Sequence, residues 1–163
     1  MKINILRGIL ILLLLGTFIM IFNFSSEDSD KSGNTSQKIT NEITKNIESI
    51  QKLNKVEKTK TLDRIESIIR KIAHFSLYTL VGLLLMAICS TYNINEKLKV
   101  IISLSVGIFY AISDEIHQMF IAGRTAKPTD VFIDTLGVVL GILIIMLILK
   151  IVSNRNKKEK NKI

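Results

Sequence analysis

The sequence predicts an all-α integral membrane bundle of four transmembrane helices, with an extracytoplasmic amphipathic helical segment between helices one and two. Three observations lead there. The chain of 163 residues is 48% hydrophobic, with a mean hydropathy of +0.37. Its apolar residues gather into four stretches near the ~18–20 residues that a bilayer crossing needs. What lies between those stretches is too short to hold a separate soluble core.

The first stretch runs from about Ile5 to Phe24, behind Lys2 and Arg7. A basic start before an apolar run is also the pattern of a signal peptide. The residues around its end, Asn23-Phe24-Ser25-Ser26, do not form a small-residue cleavage site, so residues 1–24 are expected to stay as an anchor.

Residues 25–71 form the longest polar segment, expected on the extracytoplasmic side. It opens on Ser25-Ser26-Glu27-Asp28-Ser29-Asp30, a solvated stretch. Ile39, Ile43, Ile47, Ile50 and Leu53 then recur every three or four positions, and Leu62, Ile65, Ile68 and Ile69 resume the pattern. Lys, Glu, Asn and Thr fill the positions between, as a wet face requires. That period predicts an amphipathic helix on the membrane surface or over the bundle, the plainer alternative being a solvated linker helix.

The remaining stretches, about Ile72 to Tyr92, Val100 to Ala122 and Val131 to Val152, make a three-helix core over 72–152. Gly82, Gly107, Gly137 and Gly141 lie inside them, and Gly137-x-x-x-Gly141 is a small-xxx-small pattern that lets helices approach closely. The chain closes on a basic tail, 153–163.

Charge sets the expected orientation. The net charge is +8, and Lys150, Arg155, Lys157, Lys158, Lys160 and Lys162 crowd directly behind the last apolar run. Such a tail reads as a cytoplasmic anchor touching anionic lipid, not as a nucleic-acid surface. The ten basic residues of 25–71 are spread out and interleaved with eight acids. Both termini and the Asn93–Lys99 connection are therefore expected in the cytoplasm. The single cysteine, Cys89, excludes an intramolecular disulfide and a cysteine-based metal site.

The three core spans share an anomaly. Their apolar runs, Phe75–Cys89, Val100–Ser113 and Thr135–Leu149, are only 14 or 15 residues long. Such a run covers ~21–22 Å of a ~30 Å hydrocarbon core. Each span must continue into ionisable residues: Arg70, Lys71 and His74; Asp114, Glu115, His117 and Gln118; Asp130 and Asp134. In the expected topology these ends share one side, with His74, Asp114 and Asp134 ~8 Å below the outer boundary of the core.

Helical spacing groups them further. His74 and Tyr78 are one turn apart; Asp114, His117 and Gln118 are i, i+3 and i+4; Asp130 and Asp134 are i and i+4. Charged groups in hydrocarbon are costly unless paired or wetted, so these faces are expected to turn toward one another around a polar vestibule. Arg70, Lys71, Arg124 and Lys127 would flank it. Any single member has a plain reading as helix glue, but so many groups at one depth point to a site.

The expected catalytic set is His74, Asp114, Glu115, His117 and Asp134, with His74 as acid or base oriented by Asp114 or Asp134. The expected substrate-binding set is Arg70, Lys71, Tyr78, Gln118, Arg124 and Asp130, with arginine suited to phosphate or carboxylate. The site includes divalent-metal ligand types, but no two His share a helix at ligand spacing and no H-E-x-x-H occurs, so no metal and no cofactor is assigned. No nucleophile elbow supports a serine mechanism. Transport fits poorly, because the inner part of the spans offers no polar path.

Arg70-Lys71-Ile72-Ala73-His74-Phe75 with Tyr78 and Gly82 resembles the first motif of the VanZ-like family. Ser113-Asp114-Glu115-Ile116-His117-Gln118-Met119-Phe120, then Gly123-Arg124, then Asp130-Val131-Phe132-Ile133-Asp134-Thr135-Leu136-Gly137, resembles its second. The likeness covers roughly residues 1–150. Ala122 stands where proline is common in that family. The resemblance implies a bacterial cell-envelope membrane protein linked to tolerance of the glycopeptide teicoplanin, which carries a lipid tail and acts on the outer face. It implies no particular reaction. The expected partner is a membrane lipid or a lipid-linked envelope component, with a membrane-embedded enzyme on a phosphate-bearing substrate as the alternative and a second copy of the chain as a candidate neighbour.

Overall fold

The computed structural model describes residues 2–27, 35–124 and 126–160. These form α1 (Lys2–Ser25), α2 (Thr35–Thr44), α3 (Glu48–Gln51), α4 (Lys55–Ser90), α5 (Glu96–Gln118) and α6 (Pro128–Lys160), with no strand among the described residues. Asp28, Ser29 and Asp30 of the stretch expected to be solvated, and Lys162 of the tail, lie outside the described residues.

Four helices, α1, α4, α5 and α6, are long and apolar enough to cross a membrane. In lipid a segment must satisfy its backbone polar groups internally, which a continuous helix does. Their starts follow local chemistry. Asn54 accepts the N–H of Glu57 at 2.9 Å to cap α4, and Asn95 accepts the N–H of Leu98 at 2.7 Å to cap α5. Pro128 takes the first position of α6, where a missing N–H costs nothing.

Helices α4 and α6 run parallel and pack most extensively. Glycines set their approach: a Cβ at Gly137 would stand 2.6 Å from the Phe75 carbonyl oxygen, and one at Gly82 or Gly141 would overlap backbone of the facing helix. Helix α5 runs antiparallel to both, with Gly107 admitting Val138. The shared core is Tyr78, Val81, Leu85, Met86, Ala111, Val138 and Ile142.

Helix α1 packs against α4 and, less extensively, α5, and is fastened at both ends. Near its start, Arg7 donates to the Thr91 hydroxyl at 2.8 Å and the Thr91 carbonyl at 2.6 Å, and its guanidinium lies 4.1 Å from the Tyr92 ring centroid. A cation at the end of α4 meets free carbonyls there. Farther along, Tyr110 donates to the Phe18 carbonyl at 2.8 Å and stacks on the Phe18 ring. Large side chains such as Leu12 and Phe109 (70% and 76% exposed) point away from the bundle, giving the apolar girdle that lipid covers.

Two features differ from the sequence reading. The boundary expected near Lys71 is not a break: α4 is one helix of 36 residues, ~54 Å long, so it projects well beyond a ~30 Å core. Leu62 to Ile69 belong to this helix and not to a separate surface element. The amphipathic pattern of α2 holds, but the face packed on the bundle is the polar one, not the isoleucine one. Ser36, Thr40 and Thr44 are buried, while Ile39 and Ile43 are exposed. The hydroxyls of Thr40 and Thr44 return to carbonyls one turn back, at 2.9 and 2.8 Å, and Ser36 donates to the buried Glu66 carboxylate at 2.9 Å. With its hydroxyls satisfied, the threonine face packs on α4 without leaving an unpaired polar group.

Candidate functional site

The polar ends of α4, α5 and α6 meet at one end of the bundle, beside the last turn of α1. The reason is helical phase. Ser67, Arg70, Lys71 and His74 recur at three or four residues along α4, so one stripe faces the start of α6 and the end of α5. They enclose a cavity of about 130 Å³.

His74 forms the floor with two carboxylates. Its Nδ1 stands 3.7 Å from Asp114 Oδ2 and 3.9 Å from Asp134 Oδ2, and all three side chains are buried. Gln118 donates to Asp114 Oδ2 at 3.1 Å, and its amide lies 3.3 Å from the Ser25 hydroxyl, so the end of α1 braces this wall. Tyr78 lies beneath, fully buried, its hydroxyl beside Asp114 but with no hydrogen bond of normal geometry among the described residues.

The rim is cationic. Lys71 pairs with Asp130 at 2.5 Å, tying α4 to the first turn of α6. Arg70 lies 3.6 Å from Glu66, one turn back on α4. Arg124 donates to the Phe24 carbonyl at 2.9 Å, while its Nε is buried without a hydrogen-bond partner among the described residues. Burial pushes the Arg124 guanidinium below its ordinary value, and neighbouring Arg70 acts in the same direction, against the pull of Asp114, Glu27 and Glu115. The backbone that presents Arg124 turns at Gly123, whose φ of 74° is the left-handed conformation that glycine adopts without strain.

Of the residues expected from sequence, Arg70, Lys71, His74, Glu115, Gln118, Arg124, Asp130 and Asp134 line the cavity. Asp114 joins them through His74, and Tyr78 supports the floor. Glu115 also holds the loop, accepting the N–H of Lys127 at 2.5 Å.

His117 does not join this group. Its ring stacks on Phe22 at 4.6 Å between centroids, and its Nε2 lies 3.0 Å from the Ser26 hydroxyl. Residues i+3 and i+4 flank position i on opposite sides and point ~100° apart. On α5, which touches α1 on one side and the α4–α6 pair on the other, Gln118 turns inward with Asp114 while His117 turns to α1.

Sequence reasoning left out Ser67, which lines the cavity seven residues before His74; its place four residues before Lys71 and seven before His74, on one helix face, was the available signal. It also gave no site role to α1, although Asn23-Phe24-Ser25-Ser26 at the end of the first span resembles the same VanZ-like family and supplies the Phe24 carbonyl and Ser25 hydroxyl here.

A cavity with cations at its mouth and a buried imidazole between two carboxylates suits an anionic group entering from the rim, with acid–base or metal-binding groups below it. The family model described as VanZ/LLP1 matches residues 10–149, most of the chain. No curated protein and no solved structure matches.

Proposed function

The chain belongs to the VanZ/LLP1 family, and from that premise we propose that it is a bacterial cell-envelope protein whose pocket opens at the outer leaflet and takes the headgroup of an amphiphile. Tolerance of teicoplanin is its visible phenotype. The observation that carries this reading is the cavity itself, with Arg70, Lys71, Arg124 and Lys127 around three buried acid–base groups at the ends of membrane helices. Lysine and arginine near headgroup depth attract phosphate or carboxylate, and the open rim leaves a lipid tail in the surrounding hydrocarbon. The occupant is a membrane lipid or a lipid-linked envelope component.

Deleting the gene and comparing teicoplanin with vancomycin tests this. Sensitivity is expected to rise for teicoplanin, which has a lipid tail, and not for vancomycin, and Arg124→Ala is expected not to restore tolerance. Equal shifts for both drugs would overturn a headgroup-and-tail reading.

The placement of His74 between two carboxylates favours a second reading: a membrane-embedded enzyme acting on a lipid-linked or phosphate-bearing substrate, with His74 moving the proton. If His74→Ala, at unchanged expression, restores tolerance fully, that chemistry is ruled out.

A further inference from the structure

His74, Asp114 and Asp134 come from α4, α5 and α6, and one donor atom of each lies within 4.8 Å of the other two. The imidazole Nδ1 is 3.7 and 3.9 Å from the two carboxylate oxygens, too far for hydrogen bonds. Around an ion with ligands at ~2.1 Å, donor atoms stand ~3.0–3.5 Å apart, so the imidazole needs to close on each carboxylate by only a few tenths of an ångström, and a donor pair at the 4.8 Å limit by about an ångström or a little more, within reach of side-chain rotation.

We propose that His74, Asp114 and Asp134 hold a divalent transition-metal cation, with its remaining positions open to the cavity.

Three further observations support this. Two buried carboxylates this close repel one another, and a divalent cation neutralises both while leaving the imidazole free to ligate. A nitrogen-plus-oxygen donor set suits Zn²⁺ or Mn²⁺, whereas Mg²⁺ and Ca²⁺ favour oxygen alone. Tyr78 is fully buried, and its hydroxyl lies beside Asp114 with no hydrogen-bond partner of normal geometry among the described residues. A donor behind a ligating carboxylate orients it, as Gln118 already does at 3.1 Å from Asp114 Oδ2.

Sequence spacing hides such a site, because each helix supplies one ligand and no pair of ligands shares a helix. The inference deepens the headgroup reading above and rests on it: the cation adds to Lys71 and Arg124 as an attraction for an anionic group in the cavity.

The test is metal uptake by the purified full-length chain in detergent, carried on a handle without histidines and equilibrated with Zn²⁺ or Mn²⁺. Wild type is expected to retain about one equivalent and to melt at a higher temperature with metal than with chelator. Asp114→Asn and Asp134→Asn, which keep side-chain volume, are expected to bind at least about tenfold more weakly, as is Tyr78→Phe. Asp63→Asn, on the exposed part of α4, binds as wild type. Cobalt added to wild type gives a visible spectrum of a nitrogen- and oxygen-ligated ion, a reading that needs no variant to fold. The proposal is overturned if wild type retains less than about a tenth of an equivalent of each ion, or if the Asn variants bind equally well. Metal content is read without drug or cell, so a protein that binds no metal yet still confers tolerance loses the cation and keeps the headgroup pocket.

Discussion

The carboxylate of Glu115 accepts the backbone N–H of Lys127 at 2.5 Å, so a buried acid near the end of α5 fastens the loop that carries Arg124. Among the described residues, Gly123 turns the loop, the Arg124 N–H donates to the Ile121 carbonyl, and the Arg124 side chain reaches across to the Phe24 carbonyl. Glu115 therefore acts on the site through the position of a neighbouring cation as well as from its own place in the lining.

Removing that tie should loosen the loop before it unfolds the bundle. Glu115→Ala is expected to cost about 1–3 kcal/mol, the range for stranding a buried donor. Glu115→Gln, which retains a carbonyl acceptor, should lose less. Thermal melting in detergent and proteolysis at 123–127 report the two effects separately. Equal melting and equal protection for Glu115→Ala and wild type would show that the tie contributes nothing.

The glycines of the α4–α6 seam should behave unlike those of α1. Gly82→Ala and Gly141→Ala place a methyl into facing backbone, which cannot retreat as a flexible side chain does. Overpacking of this kind costs about 1–3 kcal/mol or more. Gly8 and Gly16 have nothing within 4 Å of an added Cβ, so Ala there should melt as wild type or slightly above it. The contrast sinks if all four substitutions shift the melting temperature alike.

His117 is expected to matter for stability and not for function. His117→Phe keeps the stack on Phe22 and gives up the contact with Ser26, a loss of about 0.5–1.5 kcal/mol. On the proposed function, it should restore teicoplanin tolerance in a deletion strain to the level the wild-type chain gives. A null phenotype at normal expression would return His117 to the working set.

Orientation is checked by labelling. In a Cys89→Ser background, a cysteine at exposed Thr129, beside the cavity, should react with a membrane-impermeant maleimide on intact cells. One at exposed Asn93, at the opposite end of α4, should react only after lysis. The reverse pattern would place the cavity in the cytoplasm.

The sequence alone determined the four hydrophobic helices, because bilayer thickness makes apolar length decisive. It also determined the end of the bundle at which charge collects, since three apolar runs stop short at corresponding places. Helical period tied Asp130 to Asp134 and Asp114 to Gln118, and both pairs line or support one cavity. Tertiary structure decided what period cannot express, the direction in which each face looks. It sent His117 to α1, packed the threonine face of α2 on α4, and joined Leu62–Ile69 to the membrane helix. It also brought His74, Asp114 and Asp134 together from three helices. A period fixes angles within one helix, but the rotation of one helix against another is set by packing, here by glycines that let α4 and α6 touch backbone to backbone.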